Sequence, residues 1–428
     1  MKENKRKGRE DGSLGLFWWH AVALLSLLIG AASLLVYQFD DTAARDPWYI
    51  EAISDVIDRI VSPDSVKPAE KTDTSETENR NQGTETDEGI TVDAYYYQYL
   101  DESEKQHYDS VCKALSQFSP SVEFADPLSL ESLDRVMTAA IYDHPEYYWL
   151  SEYVYYQNSN HEVTSVEFKL NGDEAEMLQK IYSAADTIIA GMPDSTDYEK
   201  YKYIYQYITD NTVYDASADV DHQQVGSVLF DHVSVCAGYA KTYQLLSNRA
   251  GLYCTYVSGT VPYSDVYGDR HAWNLIMIDG KYYWSDVTWG DPVSENNAEN
   301  RQTLYYFCDS DQVFLRDHFP AEKIGSSGSL TVTYPECTDN SYEYCRQLNS
   351  CFDTYDFSLV KEAVMQQVQE GRPWIEIQFG NDDELGKAIK ELFDENGIHT
   401  ILSEAGVSYS SLNYLVYDTI GVLAIELV

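Results

Sequence analysis

At 428 residues the chain is too long for one hydrophobic core, and its 44% apolar and 23% charged residues exclude both wholesale disorder and a many-span membrane protein. Its 29 Lys and Arg against 71 Asp and Glu give a formal charge of −42, which excludes nucleic acid as the main partner because like charges repel. Seven cysteines, an odd number with no CxxC pair, leave at least one thiol unbridged.

Residues 1–13 are basic, with Lys2, Lys5, Arg6, Lys7 and Arg9, and read as a cytoplasmic tail. The apolar run 14–39 can cross a hydrocarbon core of ~30 Å at ~1.5 Å per residue. Trp18, Trp19 and Tyr37 sit where interfacial aromatics belong, and the basic flank puts the N-terminus inside and the rest of the chain outside the cell. A cleaved signal peptide would be cut at Gly30-Ala31-Ala32-Ser33, inside the apolar run rather than after it, so an uncleaved single-pass anchor is the expectation. Residues 40–62 carry Trp48, Ile53, Val56, Ile57 and Ile60 at helical spacing, a juxtamembrane helix. Residues 63–90 lose almost every apolar side chain and read as a disordered acidic linker.

Residues 91–190 form an N-terminal region of short helices, with Tyr97, Leu100, Tyr108, Val111, Cys112 and Leu115 at i, i+3, i+4 spacing. A strand over 163–170 puts Val166 and Phe168 on one face, and helices are expected over 173–190 and 197–210. The segment 191–340 holds the chemistry. Cys236 opens a helix whose Ala240, Tyr243, Leu246 and Ala250 share its side, Gly251 ends it, and Ser234 is a plausible N-cap. A first-turn cysteine meets free N–H groups and the positive end of the helix dipole, both of which favour thiolate. On this feature alone a small buried apolar residue is the plainer reading, because most free cysteines are of that kind.

His271 to Ile278 alternates as a strand, Asp279-Gly280 is a hairpin turn, and 281–288 returns. With 278 paired to 281, Asp286 lies opposite Trp273, so His271 and Asp286 are diagonal neighbours on one sheet face. A His beside a carboxylate on a rigid hairpin suits a base and its orienting group; a surface pair in a sheet is the plainer alternative.

Val235-Cys236-Ala237-Gly238-Tyr239-Ala240-Lys241, Gly251-Leu252-Tyr253-Cys254, His271-Ala272-Trp273-Asn274 and Asp286-Val287-Thr288-Trp289 with Asp291-Pro292 together resemble the bacterial transglutaminase-like superfamily. The likeness extends to Asp143-His144-Pro145-Glu146 on one side and to Tyr305-Tyr306-Phe307, Asp317-His318 and Pro335-Glu336-Cys337 on the other, roughly residues 92–345. It implies an α+β fold with a papain-like core, Cys236 as nucleophile, His271 as general base and acid, and Asp286 as the group orienting His271. Gly290 departs from the pattern, standing where relatives often carry an acidic residue. The implied activity is attack on peptide or protein amides through a thioester, protease-like rather than cross-linking. The alternative is a catalytically silent scaffold or adhesion module at the cell surface.

No cofactor or metal site is expected. His107, His144, His161, His222, His232 and His318 lack ligand spacing and read as surface or core residues, and no EF-hand pattern appears. Cys254 reads as core, and Cys337, Cys345 and Cys351 are near enough in sequence for one bridge. Residues 341–428 read as a C-terminal α+β accessory domain: helix 358–370, strand 374–379, helix 382–396, strand 399–402 and a final strand 412–428.

Overall fold

The computed structural model of the protein describes residues 94–215, 220–262, 268–291 and 301–428. They belong to one compact unit, Asp87–Val428. The anchor, juxtamembrane helix and linker expected over 14–90 lie outside the described residues. Among the described residues no helix is long and apolar enough to cross a membrane.

The N-terminal region starts with α1 (Glu102–Ser116), set by a capping box in which Asp101 accepts from the Glu104 N–H and Glu104 reaches back to the Asp101 N–H. Strand β1 (Ser121–Leu128), α2 (Leu130–Asp143, with Ser129 as its cap), β2 (Tyr153–Gln157) and β3 (Val163–Phe168) follow. They form a three-stranded antiparallel sheet, β1-β3-β2. The sequence reading found β3, with Val166 and Phe168 buried as expected, but missed β1 and β2. Both carry mostly exposed side chains, so neither shows the alternation that marks a half-buried strand.

Helices α3 (Glu174–Ala190) and α4 (Asp197–Asn211) fall where expected. The two-residue strands β4 (Val213–Tyr214) and β5 (Val233–Ser234) pair in parallel and deliver the chain to α5 (Cys236–Arg249). Gly251, in the left-handed region at φ 77°, closes that helix.

The central sheet is β6 (Cys254–Pro262), β7 (Gly268–Ile278), β8 (Lys281–Ser285), β9 (Phe307–Asp309) and β10 (Phe319–Pro320), in the order β10-β6-β7-β8-β9. Asp279 and Gly280 both take positive φ, the two-residue turn whose twist suits a hairpin, and Ile278 pairs with Lys281 as the sequence predicted. The return strand ends at Ser285 rather than Thr288. Asp286 leaves the β7 ladder, and its N–H donates to the Tyr306 carbonyl at 2.8 Å.

The two faces of this sheet bury different layers. On one, Tyr239, Tyr243 and Leu246 of α5 pack with Cys254, Ile276, Ile278 and Tyr283, together with Tyr201 and Tyr205 of α4. On the other, Val257, Trp273, Leu275 and Trp284 pack with Phe314, Ile420 and Val422. Asn274 fastens helix to sheet by donating to the Ala240 carbonyl at 2.9 Å.

The short hairpin β11 (Lys323–Ile324) and β12 (Leu330–Thr331) precedes the C-terminal region. There β13 (Cys351–Phe352), α6 (Phe357–Gln369), β14 (Trp374–Phe379), α7 (Asp382–Ile389), α8 (Gly397–Glu404), β15 (Leu412–Tyr417) and β16 (Val422–Leu427) build a sheet in the order β13-β14-β16-β15. Two expectations are corrected here. The strand expected over 399–402 is part of α8, because Ile398, Ile401 and Leu402 are buried at helical spacing. The single strand expected over 412–428 is a hairpin, in which Gly421 at φ 69° helps turn β15 into β16. Cys345 and Cys351 form the one disulfide, and Cys337 is free and buried.

Candidate active site

Cys236 is the first residue of α5 and half-buried. The helix has no side-chain cap. Ser234 does not cap it as expected; its hydroxyl donates to the His222 carbonyl at 2.8 Å and meets Ser227 at 2.7 Å. No side-chain cap competes for the first-turn N–H groups, of which that of Gly238 donates to the Val235 carbonyl at 3.0 Å.

His271 sits on β7 across from Gly259, almost fully buried at 7% exposure. Its Nε2 contacts Asp286 Oδ2 at 2.6 Å, and the Cys236 thiol is the other polar group that acts on the ring. With Nε2 taken by the carboxylate, Nδ1 is the nitrogen left for sulfur. Burial disfavours the charged ring, but the charge and hydrogen bond of Asp286, together with Cys236, outweigh it and push the imidazole up to about 10. The three residues singled out in the sequence therefore come together, with Asp286 reaching His271 from just past the end of β8 rather than from the ladder position expected opposite Trp273.

Asp286 is completely buried and fully satisfied. Oδ1 accepts the backbone N–H of Thr288 at 2.8 Å and of Trp289 at 3.2 Å. Oδ2 accepts His271 and also His318 Nε2, at 3.1 Å. Burial alone would raise this carboxyl, yet the two imidazoles hold it well below the usual carboxylate range.

His318, read from sequence as a surface or core histidine, lies fully buried behind Asp286. Its Nδ1 meets Asp317 Oδ1 at 2.7 Å, and Tyr306 donates its hydroxyl to Asp317 Oδ2 at 2.8 Å. Trp289, half-buried, covers both imidazoles, with ring centroids 5.6 Å from His271 and 4.6 Å from His318. The sequence signals for this second layer were Tyr305-Tyr306-Phe307 and Asp317-His318, in the segment after the hairpin.

Gly290 also has a reason in the structure. A Cβ there would lie 2.2 Å from the Tyr205 hydroxyl, so a larger residue would have to push Tyr205 aside. Asp291, one step on, accepts the Tyr239 hydroxyl of α5 at 2.7 Å.

The facing atoms of His271, Asp286 and His318 lie within 4.8 Å of one another, a spacing that could hold a cation. A cation there would have to come between Asp286 Oδ2 and the two imidazole nitrogens that now contact it. Lone His144 pairs with Glu146 at 3.1 Å, and His107 is held between the Ser103 and Asp126 carbonyls.

Residues 183–288 match the model of a family described as the Transglutaminase-like superfamily, a span that includes Cys236, His271 and Asp286. Over 145 residues, 30% of this chain, the sequence is 29% identical to kyphoscoliosis peptidase of Homo sapiens and 28% identical to that of Mus musculus. The chain spans 22% of the length of these relatives. A solved crystal structure of a TGase aligns at 16% identity and a TM-score of 0.24, over 44% of this chain and 55% of that one.

Proposed function

From the transglutaminase-like domain that this chain carries, mixed in helix and strand and papain-like in fold, we propose a cysteine enzyme acting on amide bonds of peptides or proteins. The observation that carries this reading is one imidazole, His271, held between the Cys236 thiol and the buried Asp286 carboxylate. Cys236, as the thiolate beside the His271 imidazolium, attacks the amide carbonyl carbon while α5 N–H groups face the oxyanion. The C–N bond breaks, His271 gives its proton to the leaving amine, and a thioester remains. Water then loses a proton to His271, its oxygen attacks the thioester, and the C–S bond breaks to restore the thiolate. An amine in place of water would give cross-linking. Hydrolysis is favoured because the curated relatives are named as peptidases.

The location belongs to the same proposal: the basic flank and apolar run at 1–39 anchor the chain in a membrane, and the acidic linker presents the domain to substrates at the cell surface.

The full chain and its Cys236→Ala variant are to be compared on a fluorogenic peptide-amide library with mass-spectrometric trapping of the acyl-enzyme. Turnover and an adduct on Cys236 in the parent alone are expected. If the alanine variant turns over at the parental rate, or no substrate acylates the parent, the scaffold reading replaces this one.

A further inference from the structure

Behind the proposed triad lies a second row of polar residues that the reaction as written does not use. Asp286 Oδ2, the oxygen that receives the His271 proton, is shared with His318 Nε2 at 3.1 Å. His318 is held in turn by Asp317 Oδ1 at 2.7 Å, and Asp317 by the Tyr306 hydroxyl at 2.8 Å. His318 and Asp317 are at most 2% exposed. The His318 ring is also clamped between aromatic faces, stacked on Phe314 at 4.0 Å and edge-on to Trp273 at 5.0 Å and Trp289 at 4.6 Å.

We propose that His318, locked by Asp317 and Tyr306, is a positioning residue that fixes the Asp286 carboxylate and moderates its grip on His271. The inference rests on the Cys236–His271–Asp286 reading above. Each nitrogen of the His318 ring faces a carboxylate oxygen, and Nε2 lies within hydrogen-bond distance of Asp286 Oδ2. A carboxylate oxygen that already accepts one N–H is a weaker acceptor for a second, because each donor draws down its electron density. Consistently, His318 is one of the groups that hold Asp286 low. Without His318, all of the negative charge on Oδ2 would act on His271, the imidazolium would hold its proton more tightly, and it would release that proton to a leaving amine less readily.

A buried histidine inside a satisfied aromatic shell could instead serve packing alone. Loosened packing alone would act alike in every His318 variant, whereas loss of the donor should move the His271 limb in His318→Phe and His318→Met and much less in His318→Gln, and that separates the two roles. The charged and titratable groups facing His271 are Asp286, Cys236 and His318; those facing His318 are Asp286, Asp317, His271 and Tyr306, whose hydroxyl is committed to Asp317. The Tyr205 hydroxyl also approaches from α4, but it is committed to the Asp286 main-chain carbonyl.

The test uses the full chain and iodoacetate, an anion whose attack on Cys236 is helped by both the thiolate and the neighbouring imidazolium. Its rate therefore falls when His271 loses its proton at alkaline pH. In His318→Phe, which keeps the ring stack and removes both donors, this alkaline limb should move up by about half a pH unit or more. On a peptide amide, kcat should fall about 10-fold with KM little changed, as for other outer residues that orient a working carboxylate or imidazole. His318→Gln, whose amide can still donate to Asp286, should move the limb less and recover part of kcat. If the phenylalanine variant does not fold, His318→Met, also without a donor, takes its place. An unmoved limb with a lowered Tm means packing only and overturns the proposal. His271→Ala is the control: if it leaves the iodoacetate profile unchanged, the triad reading itself has failed, whereas a changed control with unmoved His318 variants removes this inference alone.

Discussion

The Tyr205 hydroxyl donates to the main-chain carbonyl of Asp286 at 2.7 Å, tying α4 to the residue that holds His271. The side chain of Asp286 is fixed by four donors and its main chain by Tyr205, so the carboxylate is placed from both ends. Gly290 makes room for this contact. Gly290→Ala should therefore push Tyr205 aside and cost roughly 1–3 kcal/mol by overpacking. Tyr205→Phe, which loses only the hydrogen bond, should cost about 1 kcal/mol unless the carbonyl stays unsatisfied. Denaturant unfolding of the two variants would rank them, and equal stability of Gly290→Ala and the parent would refute the steric argument.

Asp286→Asn should abolish turnover, by about 10⁴-fold if it acts as the comparable change does in a serine-protease triad. It should also destabilise the fold. All four partners of this carboxylate donate, and an amide turned either way must aim its own NH2 at two of them. The expected loss is about 2–4 kcal/mol, read by denaturant unfolding alongside kcat. Parental activity in this variant would remove Asp286 from the triad.

The stability of the site should vary with pH in two opposite directions. His271 is raised in the folded state, so its contribution is whole below its unfolded value of about 6.5 and is lost as pH climbs toward about 10. Asp286 is lowered, so its contribution is whole above about 3.9 and fades only in stronger acid. The Tm difference between the parent and His271→Gln should be widest near about pH 5.5 and shrink through the alkaline range. A difference that grows with pH would contradict the raised imidazole.

Brief alkylation at neutral pH should label Cys236 first. Cys254, Cys308 and Cys337 are buried, and burial pushes all three thiols up, away from reactivity. Cys345 and Cys351 are bonded to each other. In Cys236→Ala the remaining fast label should fall on Cys112, the other half-buried thiol. Peptide mapping that finds Cys254 or Cys308 modified before Cys236 would count against an activated site.

The proposed topology predicts that protease added to intact cells releases a soluble fragment beginning between residues 63 and 90, within the acidic linker. Release only after lysis would reverse the orientation.

The hairpin was legible because its information is local. Asp279-Gly280 fixes the turn, the turn fixes the register, and the register carries the return strand to Ser285, which leaves Asp286 beside His271 just past the strand's end. Cys236 was legible from its place at a helix start, with Gly251 marking the far end. His318 was not. It reaches Asp286 only because the chain turns back through β10, where Phe319 pairs with Thr260. No periodicity encodes that return. The break between β15 and β16 failed for a smaller reason: Val416 and Tyr417 are apolar up to the turn and Val422 resumes the run, so Gly421 was read through rather than as punctuation.

The order in which these residues leave the ribosome differs from the order in which they act. A nascent chain ending at Asp291 already holds Cys236, His271 and Asp286, yet it lacks Tyr306, whose carbonyl receives the Asp286 N–H, and it lacks Asp317 and His318. The nucleophile is therefore made early, while the residues that steady its base arrive with the stretch that supplies β9 and β10. During synthesis, reactive sulfur and working imidazole are separated in time by the chain between them, and the constellation closes only when that later stretch docks.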